Sequence, residues 1–174
     1  GHHQPWRKAF LDDVCKENEY KCTIRVLLSA VYKLGKINSS QKVFYGMAGG
    51  VLPDSFWTPP HPTYLECGGV EGGFTSATTN RQVAIHYARL SNTIVTSTTG
   101  LPPPDDGKFG VLFEINLPIM ARGADVSWVS QFPQEDEILL PPLAYYKVKH
   151  MEVDKQFPSI IVVDTTCQIQ TIRF

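Results

Sequence analysis

The sequence predicts an α+β fold with a mixed, largely antiparallel β core and N-terminal helices. Three observations carry this expectation. Helical periodicity dominates the first 41 residues, short β-prone runs recur from Lys42 onward, and those runs are separated by Gly-, Pro- and Ser/Thr-rich connections and one short helix. With 174 residues and 43% hydrophobic content, the chain is sized for one domain that buries about 70% of its unfolded surface. The expected organisation is a single domain over 1–174, with a helical lead at 5–41 and a β-rich core at 42–174.

Residues 5–20 read as a helix, because Trp6, Phe10 and Val14 recur at four-residue steps and Pro5 sits where a helix start tolerates it. A second helix carries Ile24, Leu27, Leu28, Val31 and Leu34 at three- and four-residue steps until Gly35 stops it, and both faces read as core. Val43-Phe44-Tyr45 is a β-prone run that breaks into the glycines of 46–50. Residues 52–62, with Phe56, Trp57 and four prolines, suit a semi-rigid surface loop anchored by Trp57. The glycine-rich stretch 68–73 leads into a strand of small hydroxyl residues at 74–79. Asn80 then caps a helix over 81–90 whose packed side holds Val83, Ala84, Tyr87 and Ala88. Residues 91–108 form a polar loop, followed by β-prone segments at 109–115, 137–140, 145–153 and 159–163 and a closing run at 167–174.

Composition excludes several classes of function. Sixteen Lys and Arg against seventeen Asp and Glu give a formal charge of −1 without a basic block, so neither nucleic acid nor an anionic membrane is expected as a partner. No apolar run reaches the roughly 18 residues that span a bilayer, and the start has no signal-peptide pattern, so a soluble, cytoplasmic domain is expected; a monomer is expected as well. Cys15, Cys22, Cys67 and Cys167 are widely and irregularly spaced and read as buried thiols. His61, His86 and His150 are scattered, His2 and His3 carry no weight, and no metal is expected. The glycine clusters match neither the dinucleotide-binding template nor a phosphate loop, and no Gly-x-Ser-x-Gly elbow occurs.

The most informative stretch is Phe132-Pro133-Gln134-Glu135-Asp136-Glu137-Ile138-Leu139-Leu140-Pro141-Pro142. In an extended chain residues i and i+2 face one side, roughly 6.6 Å apart, so Glu135 and Glu137 can address one cleft while Asp136 points away. Taken alone, the segment reads more readily as an acidic turn solvated at the start of a strand.

It is the last of an ordered triplet: an aromatic-Gly strand end (Tyr45-Gly46), a strand of hydroxyls (Ser76-Ala77-Thr78) and Glu135-x-Glu137. In that order the chain resembles the arginine-serine-glutamate class of mono-ADP-ribosyltransferases. Phe74-Thr75-Ser76-Ala77-Thr78 is similar to the family's Phe-x-Ser-Thr-Ser strand, and the stretch from Ser130 to Pro142 resembles its acceptor-recognition loop running into Glu-x-Glu. The resemblance covers about 43–174 and implies an ADP-ribosyltransferase-like fold. The chain departs from the family at Tyr45, where an arginine normally helps hold the NAD phosphates, and at Ala77, where a threonine is usual.

The resemblance implies that NAD is a substrate, that single ADP-ribose units pass to arginine side chains of a protein acceptor, and that nicotinamide is released. Glu137 would hydrogen-bond the ribose 2′-hydroxyl and stabilise a sugar cation, as in glycoside hydrolysis. An acceptor guanidinium has a pKa above about 12 and needs a carboxylate to orient and deprotonate it, the role implied for Glu135. Ser76 would position Glu137, Thr78 would support the strand, and Gly46 would offer its backbone to the nicotinamide amide. Tyr45 either stacks on the cofactor or fills core. Arg81 either replaces the lost phosphate contact or is a solvated helix-start residue. Two rivals stand beside the transferase: an NAD glycohydrolase in which Glu135 is dispensable, and a catalytically silent module that binds NAD or a protein.

Overall fold

A computed structural model describes residues 20–39, 42–48, 52–59, 66–89 and 109–169. The expected helix at 5–20, apart from Tyr20 in a turn, and the polar loop at 91–108 lie outside them. Among the described residues two helices, α1 (Lys21–Gly35) and α2 (Arg81–Arg89), accompany eight strands: β1 (Lys42–Ala48), β2 (Gly68–Glu71), β3 (Thr75–Thr78), β4 (Gly110–Asn116), β5 (Ala124–Asp125), β6 (Glu137–Leu140), β7 (Ala144–Val153) and β8 (Ile160–Ile169). The strands form one sheet in the order β2-β7-β8-β4-β1-β3-β6-β5, in which only β4 and β8 run parallel. The fold is therefore α+β with a mixed, largely antiparallel core.

Differences from the expectations have local causes. The first strand runs through Gly46 to Ala48 because β4 pairs along its whole length, from Lys42↔Asn116 to Ala48↔Gly110. Apart from Ser159, which lies in a turn, the expected segment 159–163 and the first part of 167–174 belong to one long strand, β8, which β4 and β7 hold on its two sides. The glycine-rich stretch contributes β2, paired to β7, and the two-residue β5 closes the far edge against β6. Neither offered the apolar alternation by which strands are recognised. Within 52–59, a short 3-10 turn at Asp54–Phe56 buries Phe56, and Trp57 Nε1 donates to the Leu52 carbonyl at 3.3 Å, the anchor expected of it.

Helix α1 ends at Gly35, but not through a left-handed cap, since the following Lys36 remains right-handed. Glycine is required there because a Cβ would overlap the Arg122 carbonyl oxygen. The apolar stripe of α1 is less buried than expected: Val31 is fully covered, whereas Leu27 is exposed. Asn38 Nδ2 donates to the Gly123 carbonyl at 2.8 Å and an Arg122 guanidinium nitrogen donates to the Asn38 carbonyl at 3.0 Å, which ties the helix exit to the approach of β5.

The core lies on both faces of the sheet. One face packs Val43, Ala77, Val111, Phe113, Ile115, Ile138, Leu140, Tyr146 and Val163. The other carries α2, with Ala84, Ile85 and Ala88 against Leu112, Ile160 and Val162. Among the described residues Cys167 is buried, Cys67 partly buried and Cys22 exposed, and Cys15 lies outside them. The expectation of uniformly buried cysteines therefore fails at Cys22, on a helix side that the described residues leave open. His86 and His150 are exposed, and no described helix is long and apolar enough to cross a membrane.

Candidate active site

Direct cross-strand pairs place side chains on a common face. Phe44 on β1 lies opposite Thr78 on β3, and Thr78 lies opposite Glu137 on β6. Because Ser76 is two residues from Thr78, it shares that face, and the helix-bearing side of the sheet thus collects Phe44, Ser76, Thr78 and Glu137. A hollow of about 360 Å³ opens here, and its lining includes Phe44, Gly46, Ser76, Thr78, Tyr87, Glu135 and Glu137.

Glu137 is held at both oxygens. Ser76 Oγ donates to Oε1 at 2.6 Å and Ser130 Oγ donates to Oε2 at 3.0 Å. Ser130 reaches it because the loop after β5 folds back onto β6: Val126 N–H donates to the Glu137 carbonyl at 3.0 Å, and Ser130 Oγ accepts from Phe132 N–H at 3.1 Å. A carboxylate fixed by two hydroxyls presents its remaining lone pairs in a set direction.

Glu135 reaches the same hollow by a different route from the one its spacing suggests. It ends a 3-10 turn, Pro133–Glu135, and Asp136 takes left-handed dihedrals of φ 48° and ψ 54°. The extended geometry expected for Glu135-x-Glu137 is absent because the chain turns sharply just before β6. Thr78 Oγ1 donates to the Glu135 carbonyl and itself accepts from Asn80 N–H at 2.9 Å, while Thr79 N–H donates to the Asp136 carbonyl at 3.2 Å. Thr78 thus stitches the turn to β3, a larger part than strand support. Tyr87 Oη donates to both Glu135 oxygens, at 3.0 and 3.2 Å. That hydrogen bond, then burial and the nearby Glu135 and Glu137 charges, raise the phenol above its ordinary value.

The remaining candidates divide. Gly46 borders the hollow, but a Cβ there would overlap the Ala84 carbonyl oxygen and come within 2.8 Å of Ala88 N, so its missing side chain lets α2 lie directly on β1. Tyr45 borders the hollow as well, yet its ring stacks on Phe113, its direct partner on β4, at 6.0 Å and 25°. Of its two readings, the geometry matches core filling. Burial, then the Glu71 carboxylate, push its phenol up. Arg81 does not line the hollow. Its Nε donates to Glu114 at 3.0 Å and a terminal nitrogen to Asp154 at 2.5 Å, so its guanidinium is engaged in ion pairs away from the hollow. Tyr87, expected on the packed side of α2, is 41% exposed, and Ile85 takes the buried place.

Ser130 and Tyr87 are the site residues that sequence reasoning missed. Ser130 stood inside the recognised stretch without a distinguishing signal, and the direction of Tyr87 depends on how α2 crosses β1. Three hydroxyls, those of Ser76, Ser130 and Tyr87, donate to the two carboxylates of the hollow, and no Lys or Arg is among its described lining residues. Such a site favours positive charge. Among the described residues no group of three or more His, Cys, Asp or Glu side chains could hold a metal ion.

Comparison with solved structures decides the architecture. HopU1, an ADP-ribosyltransferase of Pseudomonas syringae pv. tomato, superposes with a TM-score of 0.55 at 22% identity, over 86% of this chain and 55% of that one. The fold is that of the ADP-ribosyltransferases. Vis, from Vibrio splendidus, solved in complex with agmatine, gives a TM-score of 0.55 at 20% identity over 89% of this chain and 60% of that one. The Paenibacillus larvae toxin Plx2a gives 0.54 at 16% identity, with 93% and 80% covered. The chain thus spans 55% and 60% of the length of HopU1 and Vis. No family model matches the chain, and no curated protein does.

Proposed function

We propose that this chain is the catalytic domain of a mono-ADP-ribosyltransferase that uses NAD as substrate and modifies arginine on a protein. The observation that carries the reading is the pair of acids in one hollow, Glu137 fixed at both oxygens by Ser76 and Ser130, with Glu135 beside it. The hollow is at the lower end of the range for small-molecule sites and is suited to the nicotinamide-ribose half of NAD. Breaking the ribose–nicotinamide bond sends the electron pair to nicotinamide and leaves a cationic sugar. Glu137 would stabilise that charge, a contribution on the order of 3 kcal/mol for one preorganised group. A guanidinium nitrogen then attacks the sugar carbon and its proton passes to Glu135. Agmatine, which Vis was solved with, ends in a guanidine group, and that supports the same acceptor chemistry here.

Replacing Glu135 by Ala tests the assignment. Arginine labelling should fall at least tenfold relative to nicotinamide release; an unchanged ratio refutes the role. A silent NAD-binding relative is the second reading, favoured by one observation: Tyr45 stands where the family has arginine, Arg81 is engaged with Glu114 and Asp154, and the described lining of the hollow offers no cation for a diphosphate. Calorimetric titration with NAD that shows binding, together with an assay that detects no nicotinamide release, would establish that alternative.

A further inference from the structure

The two acids are held by different parts of the fold. Glu137 is oriented from β3 and the preceding loop, whereas the Glu135 carboxylate is met by Tyr87 on α2. That helix is a rigid platform. Gly46 and Gly110 let its backbone lie against β1 and β4 where a Cβ would overlap the Ala84 and Ala88 carbonyl oxygens. Ala84, Ile85 and Ala88 are buried, and Arg81 pins its first turn to Glu114 and Asp154.

Tyr87 stands on the outward edge of this platform, three residues beyond Ala84. Its hydroxyl is nearly equidistant from the two Glu135 oxygens, 3.0 and 3.2 Å. The backbone of Glu135 is tied to β3 through Thr78, but its side chain has three rotatable bonds and ends in a hollow open to water. One donor on a fixed helix is therefore enough to select its direction. A carboxylate accepts at about four lone-pair sites, so the phenol, set between the two oxygens, leaves the outer lone pair of each to a guanidinium N–H.

We infer that Tyr87 is a positioning residue for Glu135 and thereby sets how well a guanidinium acceptor is captured. The inference rests on the transferase reading and extends it to a residue outside the recognised motifs. It assigns Tyr87 no contact with the reacting atoms. The raised phenol value keeps the donor protonated across the working pH range.

The test uses Tyr87→Phe with agmatine as acceptor, measuring the ADP-ribosyl-agmatine adduct and total nicotinamide in one reaction. The ratio of transfer to hydrolysis should fall about tenfold, through a higher agmatine KM, for a lost hydrogen bond to a charged group. In a Glu135→Ala background the same substitution should leave the ratio where Glu135→Ala put it. A Tyr87→Phe ratio within twofold of wild type, or an equal fall in both backgrounds, overturns the inference. Calorimetric titration of agmatine onto the protein without NAD gives a readout independent of turnover: Tyr87→Phe should bind about tenfold more weakly. Equal affinities, or no agmatine binding by either protein, overturn the inference even where nicotinamide is released. Absence of nicotinamide release by the wild-type chain refutes the transferase reading instead.

Discussion

Removing the Ser76 hydroxyl perturbs the hollow at one atom. Ser76 Oγ donates to Glu137 Oε1 at 2.6 Å, a short charge-assisted contact. Bonds to charged groups contribute about 1.5–3 kcal/mol, and the lower end applies here because Ser76 is exposed and water competes for the carboxylate. At about 1.4 kcal/mol per tenfold change, Ser76→Ala should lower kcat/KM for nicotinamide release roughly tenfold. Ser130 holds the other oxygen at the longer distance of 3.0 Å, so Ser130→Ala should lower it about three- to fivefold. The double variant should lose more than the product of the two, because the carboxylate is then released at both oxygens. Ser76→Thr, which keeps a hydroxyl on a β-compatible residue, should restore most of the activity. The assay is nicotinamide release with a thermal melt alongside. A Ser76→Ala enzyme within twofold of wild type refutes the reasoning, as does a loss that tracks a lowered Tm.

Gly46→Ala should destabilise the protein strongly, since its Cβ would run into backbone atoms of α2, including Ala88 N at 2.8 Å. Overpacking of this kind costs about 1–3 kcal/mol or more, which for this chain length is a Tm loss of roughly 2–12 °C or greater; a melt unchanged within error would show that α2 can lift away freely. Arg81→Met should cost about 2 kcal/mol at pH 7, because it removes the cation beside the Asp154 carboxylate, whose side chain is only 4% exposed; two backbone N–H groups still hold that carboxylate and Arg81 is itself 33% exposed, which keeps the loss below the roughly 3–5 kcal/mol of a fully buried pair. The loss should shrink in acid. Burial raises Glu114 and Asp154, but hydrogen bonds outweigh it: from Lys42 and Arg81 to Glu114, and from Arg81, Phe157 N–H and Gln156 N–H to Asp154. Both carboxyls therefore lie below their ordinary values of 4.5 and 3.8. A depressed carboxyl contributes fully above its unfolded value and loses that contribution as pH falls through the folded one, so denaturant melts of the two proteins should begin to converge below about pH 4 and meet once the pH is under the folded values. Cys167, whose thiol burial pushes up to about 12, should resist iodoacetamide at pH 8 in the native protein while the exposed Cys22 reacts. Equal labelling of the two by peptide mapping would contradict the packing of β8.

Much of the fold was legible because its signals are local. The three- and four-residue recurrence from Ile24 to Leu34, Asn80 ahead of α2, and the apolar runs of β4 and β6 each report which face of an element meets the core. Asn80 does cap α2, its side-chain oxygen accepting from Gln82 N–H at 3.0 Å. β2 and β5 were not legible: Gly68–Glu71 and Ala124–Asp125 are strands because β7 and β6 pair with them, and pairing is a property of two segments.

The same boundary runs through the hollow. The order of Tyr45-Gly46, Ser76 and Glu135-x-Glu137 along the chain is enough to indicate the architecture, since each motif is a few adjacent residues. Tertiary structure alone decided four further points. The turn at Asp136, rather than strand alternation, delivers Glu135 to the hollow. Tyr87 comes to its carboxylate, Ser130 comes to Glu137, and Arg81 is consumed by Glu114 and Asp154. Local periodicity ranks faces by burial, but a hydroxyl or guanidinium chooses its partner by reach across 7 to 73 residues of chain. That choice exists only once the sheet order and the seating of α2 on its glycines have set the distances.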